Sequence, residues 1–236
     1  MTFKTHSLYE ILASAFSPQV WALLWPAIVS TLYMVGIATI ITLIVGIFLG
    51  MILFVTDKDG LVPRRVLNKI LSSTINALRS LPSMIMIIMT LPLARLITGK
   101  GYGANACIIA LAMSCIPMYA RLVENCLFEI DRGKIEAAKS MGVGNFSILM
   151  TMVLPESLPS IIRSFTVAVI AIISMIALAG CFGAGGIGNI AVQYGFNRFR
   201  YDILIATVIL LIAFAEMVQL SGSFCAKLVL KKRHML

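Results

Sequence analysis

The residues from Gly183 to Gly188 match G-x-G-x-x-G, a pattern with which many proteins hold the pyrophosphate of a dinucleotide. Asp202, 19 residues beyond Gly183, stands where such proteins place the acidic residue that binds the ribose. That chemistry needs a short strand before the glycines and a helix after them. Residues 164–197 instead contain no charged side chain, which suits a membrane span and its exit. The pattern therefore predicts a tight or re-entrant turn rather than a cofactor site.

Two interpretations of this glycine segment remain open. Irregular backbone at membrane depth is tolerated only where it is buried in protein or lines a water-filled cavity. The segment could therefore form one wall of a substrate pathway, or it could let helices pack closely. Both interpretations rest on the same residues, which are Gly183, Gly185, Gly186 and Gly188.

Other residue types with catalytic or metal-binding chemistry are sparse. The chain has two histidines, His6 and His234, and no H-E-x-x-H or G-x-S-x-G motif. Its five cysteines form no C-x-x-C pair, so they are predicted to be small apolar residues rather than metal ligands or a disulfide set. The sequence also lacks G-x-x-x-x-G-K-[ST], the loop that cradles ATP phosphates. It therefore predicts no enzyme, no metal site and no resident cofactor.

Composition indicates which solvent surrounds these residues. Of the 236 residues, 60% are hydrophobic and 12% are charged, against roughly 45–50% and 25% in soluble domains. A soluble protein of this size could not cover so much apolar surface, and a disordered chain would need the opposite balance. The chain is therefore predicted to be an all-α integral membrane protein in contact with membrane lipid.

Five apolar stretches are long enough to cross a bilayer, which takes about 20 residues. Pro18 and Pro26 interrupt the start of the first stretch, where Trp21 and Trp25 share one helical face, and this is typical of a segment at the membrane surface. The predicted spans cover about residues 30–55, 72–93, 104–120, 164–183 and 203–222. They place residues 1–236 in a single transmembrane domain.

The distribution of basic residues predicts the orientation of the spans. The segments after spans one, three and five carry thirteen Lys and Arg residues, whereas the N-terminus and the segments after spans two and four carry five. Because basic residues favour the cytoplasmic side, the N-terminus is predicted to lie outside and the C-terminus inside. The net charge of +9 is then mostly a topology signal, and no nucleic-acid partner is predicted. Arg79, within the second span, should face protein, water or the cytoplasmic headgroups.

The polar segment of residues 121–163 is predicted to be a cytoplasmic loop with local order. Residues 134–141 should form a short helix, which Gly142 ends in the left-handed conformation. Asn145 can cap a second helix, which Pro155 should close. The apolar face of this second helix would hold Phe146, Leu149, Met150 and Val153. Because a two-turn helix is marginal alone, the first helix either rests on lipid headgroups or docks into a partner protein.

This loop resembles the EAA loop of ABC importer permeases. That loop reads Glu-Ala-Ala, three residues, Gly, nine residues, Ile, any residue, Leu-Pro. The present chain matches it with Glu136, Ala137, Ala138, Gly142, Leu154 and Pro155, and has Met152 in place of Ile. The resemblance implies that these six matching residues couple the membrane subunit to an ATPase.

Three further stretches narrow the resemblance to methionine-import ABC transporter permeases. They are Asn76–Pro82, Ala120–Asn125, and Gly183–Gly188 with Gln193–Gly195. The five-span layout is similar as well, and the resemblance covers roughly residues 25–230. It implies a type I ABC importer permease-like fold in the bacterial inner membrane. Two permease copies would form a homodimer, two ABC ATPase subunits would bind below it, and an external substrate-binding protein would dock outside.

The predicted function is therefore that of a permease subunit that moves a small amino acid, methionine before others, while a partner subunit hydrolyses ATP. Another small amino acid or a related sulfur compound is the alternative substrate. The alternative function is an ion-coupled secondary carrier. Such carriers usually show internal repeats and intramembrane ionisable residues. Here only Arg79 and Glu216 qualify, and five spans cannot be halved evenly.

Overall fold

The computed structural model describes residues 13–232 of the chain, and regular structure within that range is helical, with no strand. The two histidines named above lie outside these residues. The main helices are α1 Pro18–Thr56, α2 Arg65–Ser80, α3 Ser83–Thr98, α4 Ala104–Phe128, α5 Arg132–Ser140, α6 Asn145–Gly180, α7 Gly186–Ile190 and α8 Tyr201–Lys232. A π-helical segment, Ala191–Phe196, continues α7. The predicted all-α class is confirmed.

Four of these helices, α1, α4, α6 and α8, are long and apolar enough to cross a membrane. The count within the described residues rises to five if the broken pair of α2 and α3 is taken as one span. The higher number corresponds to the five predicted spans. The helices also run beyond the apolar stretches from which the spans were predicted; α8, for example, covers Tyr201–Lys232, whereas the predicted span covers residues 203–222.

The second predicted span, residues 72–93, is wrong as one continuous helix. The chain breaks between α2 and α3, where Leu81 has φ −74° and ψ 135°. The cause is Pro82, whose ring forces the residue before it out of the helical region. Arg79 consequently lies in the last turn of α2 and is exposed, not inside an apolar span.

Two other prolines, Pro26 and Pro155, were predicted to interrupt or end a helix, but the helix continues through each of them. Helix α1 begins at Pro18 and continues through Pro26, so the expected separate surface segment is part of one long helix. A proline in a helix loses one hydrogen bond, but a broken helix would leave several backbone groups unsatisfied, and these cost most in lipid. The prediction that Pro155 closes a helix is also wrong, because α6 runs through it to Gly180.

A π-helical segment, Ile148–Val153, explains how α6 passes Pro155. Its wider turn lets the Leu154 N–H donate to the Leu149 carbonyl, five residues back, and this widening relieves the crowding that a proline ring causes. The wider turn also rotates the side chains. Leu149 and Val153 are buried as predicted, and Ile148 joins them, whereas Phe146 and Met150 are exposed.

The described residues form two compact units. The first unit contains the residues up to Ala38, Ser83–Ala112 and Ala171–Met217. Its core includes Val20, Leu24, Ile187, Ile203 and Ala206. The prediction of a single transmembrane domain remains a prediction.

The second unit contains Thr39–Pro82, Met113–Ile170 and the residues from Val218 onwards. Its core includes Leu53, Ile75 and Ala120, with Leu49 and Leu71 packed against them. The rings of Phe54 and Phe128 meet edge to face, 5.0 Å apart. This unit holds α2, α5 and the polar segment of residues 121–163.

Within the second unit, α1 approaches α4 closely at Gly46 and Gly50. A Cβ on Gly50 would lie 2.7 Å from the Cβ of Val123 and 2.8 Å from the carbonyl oxygen of Ala120. Gly46 faces the ring of Tyr119 in the same way. The two glycines form G-x-x-x-G, a pattern that lets membrane helices approach until their backbones nearly touch. The sequence analysis did not use this signal.

Candidate functional site

The short helix α5 is fixed at both ends by local hydrogen bonds. The Asp131 side chain caps its start by accepting from the Gly133 N–H over 2.8 Å. At its end the Gly142 N–H donates to Lys139 O and the Val143 N–H to Ala138 O, at 2.9 and 3.1 Å. These two bonds form a Schellman motif, which needs a left-handed residue, and Gly142 has φ +79°. The predicted helix and its glycine stop are confirmed.

The residues of α5 differ in exposure. Glu136 and Ala137 are exposed, whereas Ala138 is buried. Directly after the helix, Met141 is 77% exposed and Phe146 is 74% exposed, and Val143 between them is also exposed. We call Glu136, Ala137, Met141, Val143 and Phe146 the coupling surface. Large apolar side chains beside a carboxylate in a polar loop are a surface suited to a protein partner.

Three polar contacts join α5 to neighbouring segments of the second unit. Lys134 donates a hydrogen bond to Glu156 in α6. Arg132 pairs with Asp59 at 3.2 Å, and the Lys139 ammonium donates to Leu61 O at 3.4 Å. The hydrogen bond to Glu156 and the charge of that carboxylate raise the pKa of Lys134. Exposed ion pairs contribute little stability one by one, but together these contacts tie α5 to α6 and to the connector between α1 and α2.

The second half of the EAA pattern lies on α6. Leu154 and Pro155 are half-buried and immediately precede Glu156, the partner of Lys134. The structure therefore brings the two halves of the pattern onto two helices that are joined by a side-chain contact. Sequence spacing alone could not show this contact, because it depends on α6 running straight through Pro155.

The glycine segment lies in the first unit, between α6 and α7. It follows a helix, not the strand that a dinucleotide site requires. Gly183, Gly185 and Gly186 all have φ between +72° and +80°, so the chain turns through conformations that other residues rarely adopt. The turn is held by hydrogen bonds from Gly103 N–H to Gly183 O at 3.1 Å and from Ile187 N–H to the Thr31 hydroxyl at 2.9 Å.

Close backbone packing is visible at one end of this segment. A Cβ on Gly188 would lie 2.8 Å from the Cα of Ala177 and closer still to the Ile176 carbonyl oxygen. Gly183, by contrast, is exposed and would meet nothing within 4 Å. The packing interpretation thus has direct support at Gly188, while a role in a pathway stays a prediction.

An ion pair that the sequence analysis did not single out fixes α2 in the second unit. The Arg121 guanidinium pairs with Glu124 at 2.5 Å, and donates to Asn76 Oδ1 at 3.1 Å and Ser72 O at 3.2 Å. Glu124 is buried. Opposite charges three residues apart near the end of a predicted span were the available signal. In the described range 13–232, no cluster of His, Cys, Asp and Glu could hold a metal ion.

Comparison with known proteins identifies membrane permeases as the relatives of this chain. The family described as binding-protein-dependent transport system inner membrane component matches residues 43–221. The chain is 39% identical over 200 residues to a probable D-methionine transport system permease protein, MetI, of Vibrio cholerae, covering 85% of this chain and 89% of the relative. It is 36% identical over 209 residues to the methionine import system permease protein MetP of Bacillus subtilis, covering 89% and 94%.

Solved structures agree with these relatives. A chain from the inward-facing MetNI methionine ABC transporter superposes with a TM-score of 0.87 at 30% identity, over 91% of this chain and 99% of that one. A chain of an amino acid ABC transporter shares the fold at a TM-score of 0.69 and 18% identity, over 91% and 95%. The present chain, a multi-pass protein of the bacterial inner membrane, therefore belongs to the family of inner membrane components of binding-protein-dependent transport systems.

Proposed function

We propose that this chain is the transmembrane subunit of an ATP-driven importer that carries methionine across the inner membrane. Relatives named for methionine transport cover most of the chain, and so does the superposition on the methionine ABC transporter MetNI. Both support methionine over the other small amino acids and sulfur compounds considered above.

The proposed assembly contains a second copy of this chain, two ABC ATPase subunits and an external binding protein. The MetNI structure supports the first two kinds of partner, and the family description supports the third. ATP hydrolysis is assigned to the partner, because this sequence has no phosphate loop. The chain itself would then be a permease and not an enzyme.

The coupling surface is the observation that carries this proposal. The surface has five exposed residues: Glu136 and Ala137 lie in the helix that the EAA pattern marks, and the other three follow directly after it. Two of those three, Met141 and Phe146, are 77% and 74% exposed. Seating them in a groove of the ATPase would bury apolar area that the chain alone leaves in water. Glu136 and Ala137 would contact the partner, and Gly142 would keep the helix end in shape.

The three contacts of α5 suggest how movement passes into the membrane. When ATP binding draws two partner subunits together, a seated α5 would move with its own partner. Lys134–Glu156 would pass that movement to α6, and Arg132–Asp59 to the connector before α2. Nucleotide then changes the balance between inward-open and outward-open states, since it binds one state better than the other.

For the pathway itself we propose the glycine segment of the first unit. Gly183 would form part of its wall, because the turn leaves this residue open and exposed, and Gly185 and Gly186 would give the turn its shape through their positive φ angles. Gly188 would support the wall by packing on α6. Arg79, at the exposed end of α2, would lie beside water rather than lipid.

The proposal is tested with two matched glycine variants. Gly142 has φ +79° and Gly144 has φ −65°, and a Cβ on either would meet nothing within 4 Å. Gly142→Ala should strain the end of α5 by about 1–2 kcal/mol, whereas Gly144→Ala should not. The purified permease, its ATPase and its binding protein are reconstituted together, and ATP hydrolysis and methionine uptake are measured.

We expect Gly142→Ala to weaken the complex or to raise the ATP hydrolysed per methionine, and Gly144→Ala to behave like the wild type. If both variants showed the same complex stability and the same ATP hydrolysed per methionine, α5 would not be the coupling element. Methionine uptake driven by an ion gradient without any ATPase would instead support the secondary carrier.

A further inference from the structure

Helix α2 presents three different surfaces along its length. One is packed in the second unit and consists of Asn68, Leu71, Ser72, Ile75 and Leu78. The second is exposed and polar, and consists of Arg65, Lys69, Ser73, Asn76, Arg79 and Ser80. The third, which we call the apolar sector, is exposed and consists of Val66, Leu67, Ile70 and Ala77. At 3.6 residues per turn, each set falls on one side of the helix.

The rotation of α2 about its axis is fixed by its packed side. Asn68 donates to Leu53 O at 2.9 Å and to the Thr56 hydroxyl at 3.2 Å. Arg121 holds the neighbouring turns through Ser72 O and Asn76. Ile75 is buried in the core. The helix therefore cannot roll to bury the apolar sector without breaking these bonds.

The apolar sector is left with large side chains in the open. Val66 is 75% exposed and Ile70 is 62% exposed. Thr74, on the same side, donates its hydroxyl proton to Ile70 O at 3.0 Å, so the donor of this side chain is satisfied within the helix. Burying such a surface is favourable, and it needs an apolar medium or partner.

The charges beside the apolar sector are all basic. Arg64, Arg65, Lys69 and Arg79 lie in or next to α2 and are exposed, and no Asp or Glu occurs between Asp59 and Glu124. A short helix with one apolar side, one basic side and low overall hydrophobicity is typical of helices that lie in the membrane surface. The excess of Lys and Arg also predicts that α2 lies on the cytoplasmic side of the membrane.

We propose that α2 lies in the surface of the inner leaflet, with its apolar sector among the acyl chains and with Arg65 and Lys69 bound to the phosphates of anionic phospholipids. The basic charge of α2 favours anionic phospholipid, rather than a second copy of the chain, as the partner of this helix. A symmetric contact between two α2 helices would place like charges side by side, which costs free energy. The proposal does not depend on what the transporter carries.

The position of the helix is tested with the full chain in nanodiscs that contain phosphatidylglycerol. Nitroxide labels are placed at Ile70→Cys in the apolar sector and at Ser73→Cys on the polar side, after exposed Cys181 and Cys225 are replaced by serine. We expect the label at 70 to collide more with oxygen, which concentrates in acyl chains, than with a water-soluble nickel complex. Ser73 lies about 60° round the helix from residue 70, toward the polar side, so the label there should collide less with oxygen and more with the nickel complex than the label at 70.

A label at 70 that collides mainly with the nickel complex would overturn the proposal, because the apolar sector would then face water. Spin–spin broadening between labels at 70 on two chains would overturn it too, because a second copy would then be the occupant. Equal oxygen and nickel ratios at 70 and 73 would also contradict an orientated helix.

The lipid charge is tested by titrating phosphatidylglycerol against phosphatidylcholine and counting the lipid retained by the protein. Arg65→Gln and Lys69→Gln should each lower the preference for phosphatidylglycerol by roughly fivefold. Lys100→Gln, which removes an exposed charge on the side predicted to be external, is the matched control and should change nothing. An unchanged preference in the Arg65→Gln, Lys69→Gln double variant would overturn the headgroup contact.

Discussion

Arg121 and Glu124 show how one residue pair positions an element. Among the described residues, Glu124 is the one charged side chain that is buried. Its partner also reaches α2 through Ser72 and Asn76, so the guanidinium satisfies a buried carboxylate and holds a helix at the same time. A buried ion pair of this kind adds little net free energy of folding, but removing one partner leaves an unpaired buried charge, which is strongly destabilising.

We therefore expect Arg121→Ala to destabilise the protein by about 3–5 kcal/mol, since it leaves the Glu124 carboxylate buried without a partner. The midpoint of thermal unfolding in detergent measures this. Arg121→Leu with Glu124→Leu should recover a large part of the loss. Arg163→Ala, which removes an exposed arginine, should leave the midpoint nearly unchanged, and an equal drop there would contradict the argument.

Gly188 is the residue where the glycine segment depends most on the absence of a side chain. Gly188→Ala would press a Cβ into the backbone of α6 at Ile176 and Ala177. We expect a loss of about 1–3 kcal/mol, as for other overpacked sites. Thermal unfolding of the variant against Gly36→Ala checks this, because Gly36 lies in α1 with nothing within 4 Å. Similar unfolding midpoints for both variants would contradict this, because α6 could then move away from the added methyl group without a loss of stability.

At the scale of elements, the contact of α1 with α4 depends on Gly46 and Gly50. Gly50→Leu should separate the two helices, since Val123 and the Ala120 carbonyl leave no room even for a methyl group. We expect a loss of at least about 1–3 kcal/mol and reduced yield of folded protein. Gly36→Leu, in the same helix, should fold normally. Size-exclusion chromatography and thermal unfolding distinguish the two outcomes.

Helix α5 should act through its contact with α6 rather than through its own stability. Glu156→Gln removes the charge that attracts Lys134, and the exposed pair contributes little to folding. We expect an unchanged unfolding midpoint but a higher ratio of ATP hydrolysed to methionine carried. Glu216→Gln, an exposed carboxylate in α8, is the control. A normal ratio in Glu156→Gln would mean that movement reaches α6 by another contact.

The elements that follow from local signals could be predicted, and those that depend on distant contacts could not. The Gly142 stop acts within a few residues, so the helix predicted over residues 134–141 lies within two residues of the observed α5 at each end. The Asp131 cap is equally local, but the sequence analysis did not use it. The break at Leu81 followed from Pro82, but the continuous apolar run after it favoured one span. The passage of α6 through Pro155 needed a π-helical turn, whereas the local rule for a residue before proline predicts that the helix ends there.

At the scale of the whole molecule, physical reasoning and family resemblance contribute different things. Composition and the spacing of apolar stretches predict a helical membrane protein, because lipid admits few other solutions. Methionine follows from the relatives alone, since no residue of this chain was derived as a substrate contact. The candidate coupling site needed both kinds of reasoning. The short helix and its glycine stop could be predicted from neighbouring residues, but a role in coupling to an ATPase was inferred from the EAA resemblance.

Orientation is a property of the whole chain that its own cysteines can test. Cys181 and Cys225 are exposed, whereas Cys107, Cys115 and Cys126 are buried. The predicted topology places Cys181 at the outer end of the fourth span and Cys225 three residues beyond the fifth, on the cytoplasmic side. In spheroplasts, a membrane-impermeant maleimide should therefore label Cys181→Ser far less than Cys225→Ser, which keeps the outer thiol. In inside-out vesicles the order should reverse, because the cytoplasmic thiol then faces the reagent. The same order in both preparations would contradict the excess of basic residues as a guide to topology, and would move α2 and the coupling surface to the opposite side of the membrane.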